Sequence, residues 1–318
     1  MNVFYQLNNL PAFNRSVITI GTFDGVHKGH VQLIEKIKNI ADQTAGESVI
    51  ITFHPHPRLV INPSDQSLRL LNTIDEKIEL LRQHGINNVV VVPFSRDFSE
   101  MSAEEYVSSF LVKSFHPATI VIGYDHRFGK NRTGNFSLLE KMKSVYGYEL
   151  VEIQQEMLDD ISISSTKIRT ALNEGHVQLA NQLLGYKYAF TGTVVRGLQN
   201  GRKLGYPTAN LQLSDERKLI PRTGIYAVRV LYKPKSENLP AQVYAGMMSI
   251  GYNPTFDGKT QTIEVNILDY DGDLYGEQLT VELVDFIRNE KKFDSIDELI
   301  AAIADDEVKT RGIIRSAI

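Results

Sequence analysis

The sequence predicts two domains of different class, an α/β domain built on a parallel sheet and an antiparallel β domain that ends in a helix. The chain has 318 residues, which is long for a single domain. In its first half, short β-branched runs alternate with segments of helical periodicity. From about Tyr188 the pattern becomes extended, with turn dipeptides between the runs. We place the boundary after residue 185, which gives domains of residues 1–185 and 186–318.

Five apolar runs predict the strands of the first domain, namely SVITI, SVIITF, NNVVVVPF, ATIVIGY and YELVEI. Such continuous apolar runs are typical of parallel strands, which are buried on both faces. Apolar residues at three- and four-residue spacing predict a helix after the first strand: Leu33, Ile34, Ile37 and Ile40. A second helix begins at Thr73 or Asp75 and ends before Gly85, and a third begins at Ser102.

Five extended runs predict the strands of the second domain, namely YAFTGTVVRG, GIYAVRVLY, QVYAGMMSIG, TQTIEVNILDY and EQLTVELVDFIR. Turn dipeptides separate them at Asn200-Gly201, Lys233-Pro234, Asp257-Gly258 and Asp271-Gly272. This rhythm indicates an antiparallel barrel or sandwich. The segment SIDELIAAIADDEVKTRGII predicts a closing helix, with Ser295 and Glu298 as its capping box.

Composition limits the classes of function. A net charge of −4 argues against a broad nucleic-acid surface, so we expect no nucleic-acid partner. The lack of cysteine excludes disulfides, thiolate catalysis and cysteine metal sites. The first residues lack the pattern of a secretory signal, and no run approaches the ~18 apolar residues of a membrane span. We therefore expect a soluble cytoplasmic protein with no membrane partner, whose oligomeric state stays open.

The stretch GTFDGVHKGH, residues 21–30, joins the first predicted strand to the first helix. It contains three glycines four residues apart and two histidines, which are Gly21, Gly25, Gly29, His27 and His30. Ligands of open α/β sheets bind at the carboxyl ends of strands, where a helix N-terminus favours phosphate. The stretch is not a P-loop, and G-x-G is absent from the chain, which argues against a dinucleotide-binding dehydrogenase. The imidazoles would instead donate hydrogen bonds to phosphate oxygens and stabilise charge during phosphoryl transfer.

Two other interpretations of these histidines are open. An H-x-x-H pair is also compatible with ordinary core or surface histidines. His27 and His30, together with His54 and His56, are compatible with a zinc site at one edge of the sheet. The sequence has no H-E-x-x-H and no obvious carboxylate ligand, which disfavours zinc.

The pattern G-x-F-D-G-x-H-x-G-H resembles the signature of the HxGH nucleotidyltransferases, which move an AMP or CMP group from a triphosphate. The segment ISSTKIRTAL, residues 163–172, is similar to the second element of that family. Its hydroxyls and backbone amides lie at the start of a predicted helix, where phosphate binds well, and its cations complement phosphate charge. The resemblance implies a Rossmann-like nucleotidyltransferase domain in which His27 and His30 are catalytic. It also implies a nucleotide-binding set: Gly21, Phe23, Asp24, Gly29, Asp125, Ser164, Ser165, Thr166 and Arg169.

Two further loops follow predicted strands. FHPHP, residues 53–57, either contacts ligand or shapes the wall of the crevice. GYDHRFGKNRTGN, residues 123–135, is either a solvated loop or a lid that contacts phosphate through its three cations: Arg127, Lys130 and Arg132. It is similar to the G-x-D-F-x-F-G of that family at three positions: Asp125, Phe128 and Gly129. His126 stands where the family has phenylalanine.

The second domain contains GRKLGYPTANL, residues 201–211. Three glycines allow close approach of the backbone to an anionic group: Gly197, Gly201 and Gly205. Thr208 and Asn210 share a face of an extended backbone, so their oxygens are placed to hold one Mg²⁺. Taken alone, the PTAN segment is also compatible with a simple turn and strand start.

Glu264 lies inside the alternating run TQTIEVNILDY. Alternation puts Ile263, Val265 and Ile267 on one face of the strand and Glu264 on the other. The glutamate is therefore either outward and solvated or inward and functional, and the sequence leaves this open.

The combination of G-x-x-L-G-x-P-T-A-N, G-x-N-P-T-F and a glutamate before D-L-Y-G resembles riboflavin kinase. This resemblance implies that Thr208 and Asn210 bind Mg²⁺ and ATP phosphates and that Glu264 activates the ribityl 5′-hydroxyl. It adds three residues to the phosphate-binding set: Gly201, Lys203 and Gly205. It also implies a Greek-key barrel with a C-terminal helix that helps cover flavin.

A kinase of this type behind an HxGH nucleotidyltransferase is similar to the bacterial bifunctional riboflavin kinase and FAD synthetase family. The resemblance implies two reactions, in which ATP phosphorylates riboflavin to FMN and then adenylylates FMN to FAD, with Mg²⁺ as the cofactor. One alternative is another HxGH enzyme, of the pantetheine-phosphate or cytidylyl type, with an accessory barrel. A second alternative is a non-enzymatic flavin-binding regulator, which would not need two phosphate-handling loops.

Overall fold

The computed structural model describes residues 1–65, 67–153, 163–197, 200–234, 241–255 and 258–316. The chain forms two compact units, Met1–Ser165 and Thr166–Ile318. The segment 166–184 therefore belongs to the second compact unit, while the predicted domain boundary after residue 185 stays a prediction.

No helix within the described ranges is both long enough and apolar enough to cross a membrane.

The first unit is an α/β layer structure. Its six strands are β1 (Asn2–Phe4), β2 (Val17–Ile20), β3 (Ser48–His54), β4 (Asn88–Pro93), β5 (Thr119–Gly123) and β6 (Glu149–Ile153). Its helices are α1 (Lys28–Gln43), α2 (Pro57–Ile61), α3 (Ile74–Gln83), α4 (Arg96–Ser99), α5 (Ala103–Glu105), α6 (Lys113–Phe115) and α7 (Phe136–Tyr146). A π-helical segment, Tyr106–Val112, joins α5 to α6. All strand pairs are parallel, in the order β1-β4-β3-β2-β5-β6, which confirms the predicted Rossmann-like sheet.

Burial on both faces explains why the strands read as continuous apolar runs. Along β2, Val17 belongs to a core cluster on one face and Ile18 to a second cluster on the other. The chain builds the sheet outward from β2 through β3 and β4, then returns to place β5 on the other side of β2. The carboxyl ends of β2 and β5 therefore flank the topological switch point, where α/β sheets bind ligands.

The sequence signals for the helix starts are also realised. Thr73 caps α3 in a reciprocal capping box with Glu76, and Ser102 does the same for α5 with Glu105. Thr73, and not Asp75, is thus the cap of the second predicted helix. Strand β1 and the short helices α2 and α4 carry no strong sequence pattern and were not predicted.

The second unit is a closed antiparallel barrel with helices outside it. Its strands are β7 (Ala189–Val195), β8 (Ala209–Leu213), β9 (Gly224–Tyr232), β10 (Gln242–Thr255), β11 (Gly258–Ile267) and β12 (Gln278–Arg288). Its helices are α8 (Ser165–Glu174), α9 (Val177–Leu184), α10 (Asn200–Lys203) and α11 (Ile296–Ser316). The strand order around the barrel is β10-β11-β8-β7-β12-β9. Strands β9, β10 and β11 are consecutive antiparallel neighbours, and β8 pairs with β11 on their far side, which is the predicted Greek key. The barrel is closed, so the sandwich alternative is excluded.

The closing helix α11 packs against the outer faces of β9, β10 and β12. Arg288, the last residue of β12, donates hydrogen bonds from Nε and a terminal nitrogen to the buried carboxylate of Asp306 on α11, at 2.7–3.1 Å. Such a bidentate pair fixes geometry as well as energy. Helix α11 is therefore held as a wall over one side of the barrel.

Two candidate active sites

The loop after β2 turns sharply before α1 begins. Phe23, Gly25 and Val26 all have positive φ, at 47°, 91° and 35°. Positive φ is rare for a β-branched residue such as Val26, which is held there by complete burial. The sequence GTFDGV therefore folds into a tight, packed turn that delivers His27 to the N-terminus of α1.

The two histidines of the loop stack on each other. Their ring centroids lie 3.6 Å apart and the ring planes differ by 13°. His27 is the N-cap of α1, and its Nδ1 accepts a hydrogen bond from the backbone N–H of His30 at 3.3 Å. Because Nδ1 of His27 is an acceptor, the proton of the neutral ring resides on Nε2. His27 therefore offers an N–H donor beside a helix N-terminus.

His30 is held in its uncharged form. Burial lowers the pKa of His30 well below 6.5, and electrostatic interactions with His27 and with the Lys77 ammonium lower this pKa further. Its ring also contacts that of Phe23, with centroids 5.1 Å apart, and its buried Nδ1 has no hydrogen-bond partner among the residues that the structure describes. At neutral pH, His30 thus acts as a hydrogen-bonding group and not as a cation.

Asp24 connects the loop to two other segments. Its Oδ1 accepts hydrogen bonds from the backbone N–H groups of Leu71 and Asn72 at 2.9 and 3.3 Å. Its carbonyl oxygen accepts a hydrogen bond from Oγ of Ser165 at 2.8 Å. This contact brings the start of ISSTKIRTAL to the histidine loop, as the two-motif resemblance requires. Asp24 is 2% exposed, so its buried carboxylate stabilises the loop through these backbone contacts.

The other sequence-predicted residues of this site have defined positions. A Cβ on Gly21 would lie 3.1 Å from the Phe23 ring, so this glycine allows the ring to pack. Gly29 is in the first turn of α1, while Thr166 and Arg169 are in the first two turns of α8. Asp125 is exposed on the loop after β5.

Lys77 belongs to this loop's surroundings and was not predicted. It is 6% exposed, and its ammonium donates a hydrogen bond to the carbonyl oxygen of Thr22 at 2.7 Å. Helical spacing carries a signal for it, because Lys77 lies three residues after Ile74 and four before Leu81 on the apolar face of α3. A lysine on such a face is an exception to the rule that charged residues face water.

The loop after β5 is packed against α5. Phe128 pairs with Gly134 in an isolated β-bridge and is buried, where its ring stacks on Tyr106 at 4.9 Å. Lys130 forms an ion pair with Glu100 at 2.9 Å, so one of the three predicted phosphate contacts is engaged elsewhere. His126 contacts the Phe128 ring, and burial lowers the pKa of His126 to about 4.

Aromatic side chains line the same edge of the sheet. Phe53 at the end of β3 contacts both Phe94, just after β4, and Phe98 on α4, with ring centroids 5.5 and 5.7 Å apart. Phe94 and Phe98 are only partly buried. His56 of the FHPHP segment caps α2 by accepting a hydrogen bond from the N–H of Arg58. Among the residues that the structure describes, no three His, Cys, Asp or Glu side chains form a metal cluster, so the zinc interpretation gains no support.

The second candidate site is built on β8 and β11. Asn210 and Glu264 are directly paired in the antiparallel ladder, which puts their side chains on one face. Thr208, just before β8, donates a hydrogen bond from Oγ1 to Oε2 of Glu264 at 3.0 Å. The predicted base and the two predicted metal ligands are therefore together. Their hydroxyl, amide and carboxylate oxygens are the hard donors that Mg²⁺ prefers.

The predicted glycines shape the approach to these side chains. A Cβ on Gly197 would overlap the Asn210 amide, and one on Gly201 would overlap the carbonyl of Tyr206. Gly205 has φ +83°, a conformation that favours glycine. Lys203 is exposed on α10. The last residue of the IGYNPTF segment, Phe256, lies outside the described residues.

Glu264 lines a cavity of about 280 Å³ outside the barrel core. Ile263, Val265 and Ile267 are buried on the opposite side of the strand. The cavity is lined by Thr208 and Met247 from the barrel and by Leu299 and Ile303 from α11, among others. The sequence left two possibilities for Glu264, an inward functional residue or an outward solvated one. Glu264 instead lies on the outer face of the barrel, in a cavity whose other wall is formed by α11.

Comparisons with known proteins match each unit separately and the chain as a whole. A family model for FAD synthetase matches residues 10–167, and one for riboflavin kinase matches residues 184–314. The bifunctional riboflavin kinase/FMN adenylyltransferase of Listeria monocytogenes is 37% identical over 93% of this chain and 91% of its own. The protein of the same description from Escherichia coli K12 is 38% identical over the same shares.

A solved structure shares the fold over nearly the full length. It comes from Streptococcus pneumoniae, is described as a macrolide-efflux protein, and is 33% identical with a TM-score of 0.85 over 97% of this chain and 98% of its own. The riboflavin kinase match and the bifunctional relatives argue against the two alternatives, an HxGH enzyme of another substrate class and a non-enzymatic regulator. The chain therefore belongs to the family of bifunctional riboflavin kinases and FMN adenylyltransferases, which convert riboflavin to FMN and FMN to FAD.

Proposed function

We propose that the two reactions are divided between the two candidate sites. The first unit adenylylates FMN at the histidine loop, and the barrel phosphorylates riboflavin at Glu264. The hydrogen bond from Thr208 to Glu264, in the cavity between the barrel and α11, supports the kinase assignment most directly. The stacked histidines at the N-terminus of α1 support the adenylyltransferase assignment. ATP is the phosphoryl and adenylyl donor in both, and we place the reactions in the cytoplasm, where ATP is supplied.

In the kinase reaction, the 5′-hydroxyl of riboflavin attacks the γ-phosphorus of ATP. Glu264 accepts the hydroxyl proton as the new O–P bond forms and ADP leaves. Thr208 orients the carboxylate by donating its one proton to Oε2, and its lone pairs stay available for a cation. Thr208 and Asn210 would hold Mg²⁺, which neutralises phosphate charge when bound. Met247, Leu299 and Ile303 give the cavity apolar walls, against which the flavin ring would pack.

In the adenylyltransferase reaction, the phosphate of FMN attacks the α-phosphorus of ATP and pyrophosphate leaves. The N–H of His27 and the neutral ring of His30 donate hydrogen bonds to the phosphate oxygens where charge accumulates. The N-terminus of α1 adds its positive dipole. The partly buried rings of Phe94 and Phe98 offer a surface on which the flavin ring can stack.

Truncated chains test the division of labour. Residues 186–318 are expected to make FMN from riboflavin and ATP, but no FAD, with products separated by chromatography. A matched fragment of residues 166–318 keeps α9, whose Val177, Leu183 and Leu184 are buried in the second unit. If the longer fragment alone is folded and active, the kinase domain begins before residue 185. If either fragment makes FAD, the assignment of the histidine loop is wrong.

A further inference from the structure

Lys77 is a buried cation directly behind the histidine loop. Its side chain comes from α3 and reaches the carbonyl oxygen of Thr22, 2.7 Å away, and Oγ1 of Thr52, 3.5 Å away. The Thr52 hydroxyl itself donates to the same Thr22 carbonyl at 3.2 Å. One carbonyl in the loop is thus held from β3 and from α3 together.

Burying an ammonium group is unfavourable unless its surroundings compensate for lost hydration. The Asp24 carboxylate raises the pKa of Lys77, while burial lowers it more strongly, to about 8. The lysine is therefore mostly charged at neutral pH. A methyl-terminated side chain would fill the same volume without this cost, which indicates that the charge has a use.

The charge of Lys77 acts on the catalytic pair. Burial is the main cause of the low pKa of His30, and the Lys77 ammonium lowers this pKa further, as does the interaction with His27. Among the described residues, the titratable groups that interact with Lys77 and His30 are Asp24 in the loop and His27 at the start of α1. Removal of the ammonium would leave Asp24 as the only fixed charge among these groups, which favours protonation of His30.

We propose that Lys77 is a positioning residue for adenylyl transfer, which fixes the Thr22 carbonyl and thereby the turn that presents His27 and His30, and whose charge acts on His30. The inference rests on the proposed role of these histidines. A lysine that only stabilised the fold would lower stability and would affect the two activities of the chain alike.

The test uses the full chain, in which riboflavin phosphorylation reports on global folding. Lys77→Met should reduce kcat for FAD formation from FMN and ATP at least tenfold, with KM for ATP changed less than threefold and FMN formation within twofold. The midpoint of His30 protonation, followed by NMR, should move to higher pH. An unchanged His30 midpoint, an unchanged kcat, or equal loss of both activities would overturn the proposal.

A second variant covers the case in which Lys77→Met does not fold. The parent should lose about tenfold in kcat for FAD formation between pH 7 and pH 9, because a lysine of pKa about 8 is about one-tenth protonated at pH 9. Lys77→Arg keeps its charge over this range, so its kcat should fall less than twofold. Parallel profiles for the two proteins would overturn the proposal. His27→Asn with normal FAD formation would instead remove the proposed function of the loop itself.

Discussion

In the proposed division of labour, the two sites use the same donor, ATP, but present different chemical groups to it. The proposed adenylyltransferase site presents two stacked imidazoles at a helix N-terminus, and the carboxylate of Asp24 in the same loop accepts hydrogen bonds from backbone N–H groups. The proposed kinase site presents a carboxylate, Glu264, which is hydrogen-bonded by a threonine hydroxyl and lines a cavity that α11 walls on one side.

The acidity of the two nucleophiles accounts for the difference. The phosphate of FMN has a second pKa of about 6 and is already ionised at neutral pH. It needs hydrogen-bond donors for developing charge and no base. The riboflavin hydroxyl is not ionised at neutral pH, so its attack requires a group that accepts the proton.

The largest expected effect comes from removing the base. Glu264→Gln keeps the shape of the side chain and can still accept a hydrogen bond from Thr208, but cannot accept the proton. FMN formation should fall by roughly 10²–10⁴-fold, the usual contribution of general-base catalysis. FAD formation from supplied FMN, measured on the same preparation, should be unchanged. ATP binding should also survive, since Thr208 and Asn210 are intact.

A Glu264→Gln protein that phosphorylates riboflavin within about threefold of the parent rate would remove Glu264 from the mechanism. The comparison between the sites would then fail, because both would operate by electrostatic stabilisation alone.

The histidine loop should show the opposite selectivity. His27→Ala removes both the helix cap and the Nε2 donor, whereas His27→Asn keeps a capping oxygen and removes the donor. Both should reduce FAD formation by ~10²–10³-fold, the usual effect of losing one charge-stabilising donor. FMN should accumulate from riboflavin. If His27→Asn is active and His27→Ala is not, His27 is only a cap.

The sequence predicted the sheet and the barrel because those features follow from local pattern, whereas the roles of the site residues come from motif resemblance and stay predictions. The strand runs, the caps at Thr73 and Ser102, and the spacing of Thr208 and Asn210 depend on neighbours along the chain. The position of Glu264 could not be predicted, because the wall that encloses it is formed by α11, far along the sequence. The role of Lys77 could not be predicted for a similar reason, since its partners Thr22 and Thr52 come from other segments of the chain.

Thr208 tests whether the base and the cation site are coupled. Thr208→Val removes the hydroxyl at nearly constant volume, while Thr208→Ser retains it. The valine variant should need about 10–100 times more Mg²⁺ for half-maximal FMN formation and should also lose kcat, since Glu264 is no longer oriented. Serine should restore both within about threefold. A change in Mg²⁺ requirement without any change in kcat would show that the contact with Glu264 has no catalytic role.

The smallest effect is expected at His126, where the chain departs from the phenylalanine of its family. With a pKa of about 4, this ring is neutral at physiological pH, and its Nε2 is buried without a hydrogen-bond partner. His126→Phe removes that nitrogen and keeps an aromatic ring beside Phe128. FAD formation should stay within about threefold of the parent, and the free energy of unfolding should rise by up to about 2 kcal/mol.

The pH dependence of the gain in unfolding free energy tests whether His126 is desolvated in the folded protein. The folded pKa lies below the unfolded value of about 6.5, so between these two values the unfolded chain binds a proton that the folded chain does not. The parent therefore loses stability through His126 as pH falls from about 6.5 towards 4, and His126→Phe should not. Denaturant titrations at pH 7.5 and pH 5 should show a larger advantage of the variant at the lower pH. If the advantage is equal at both, the ring is not desolvated in the folded protein. If FAD formation instead falls more than tenfold, His126 supplies a hydrogen bond to substrate, and the adenylyltransferase site uses three imidazoles where we assign two.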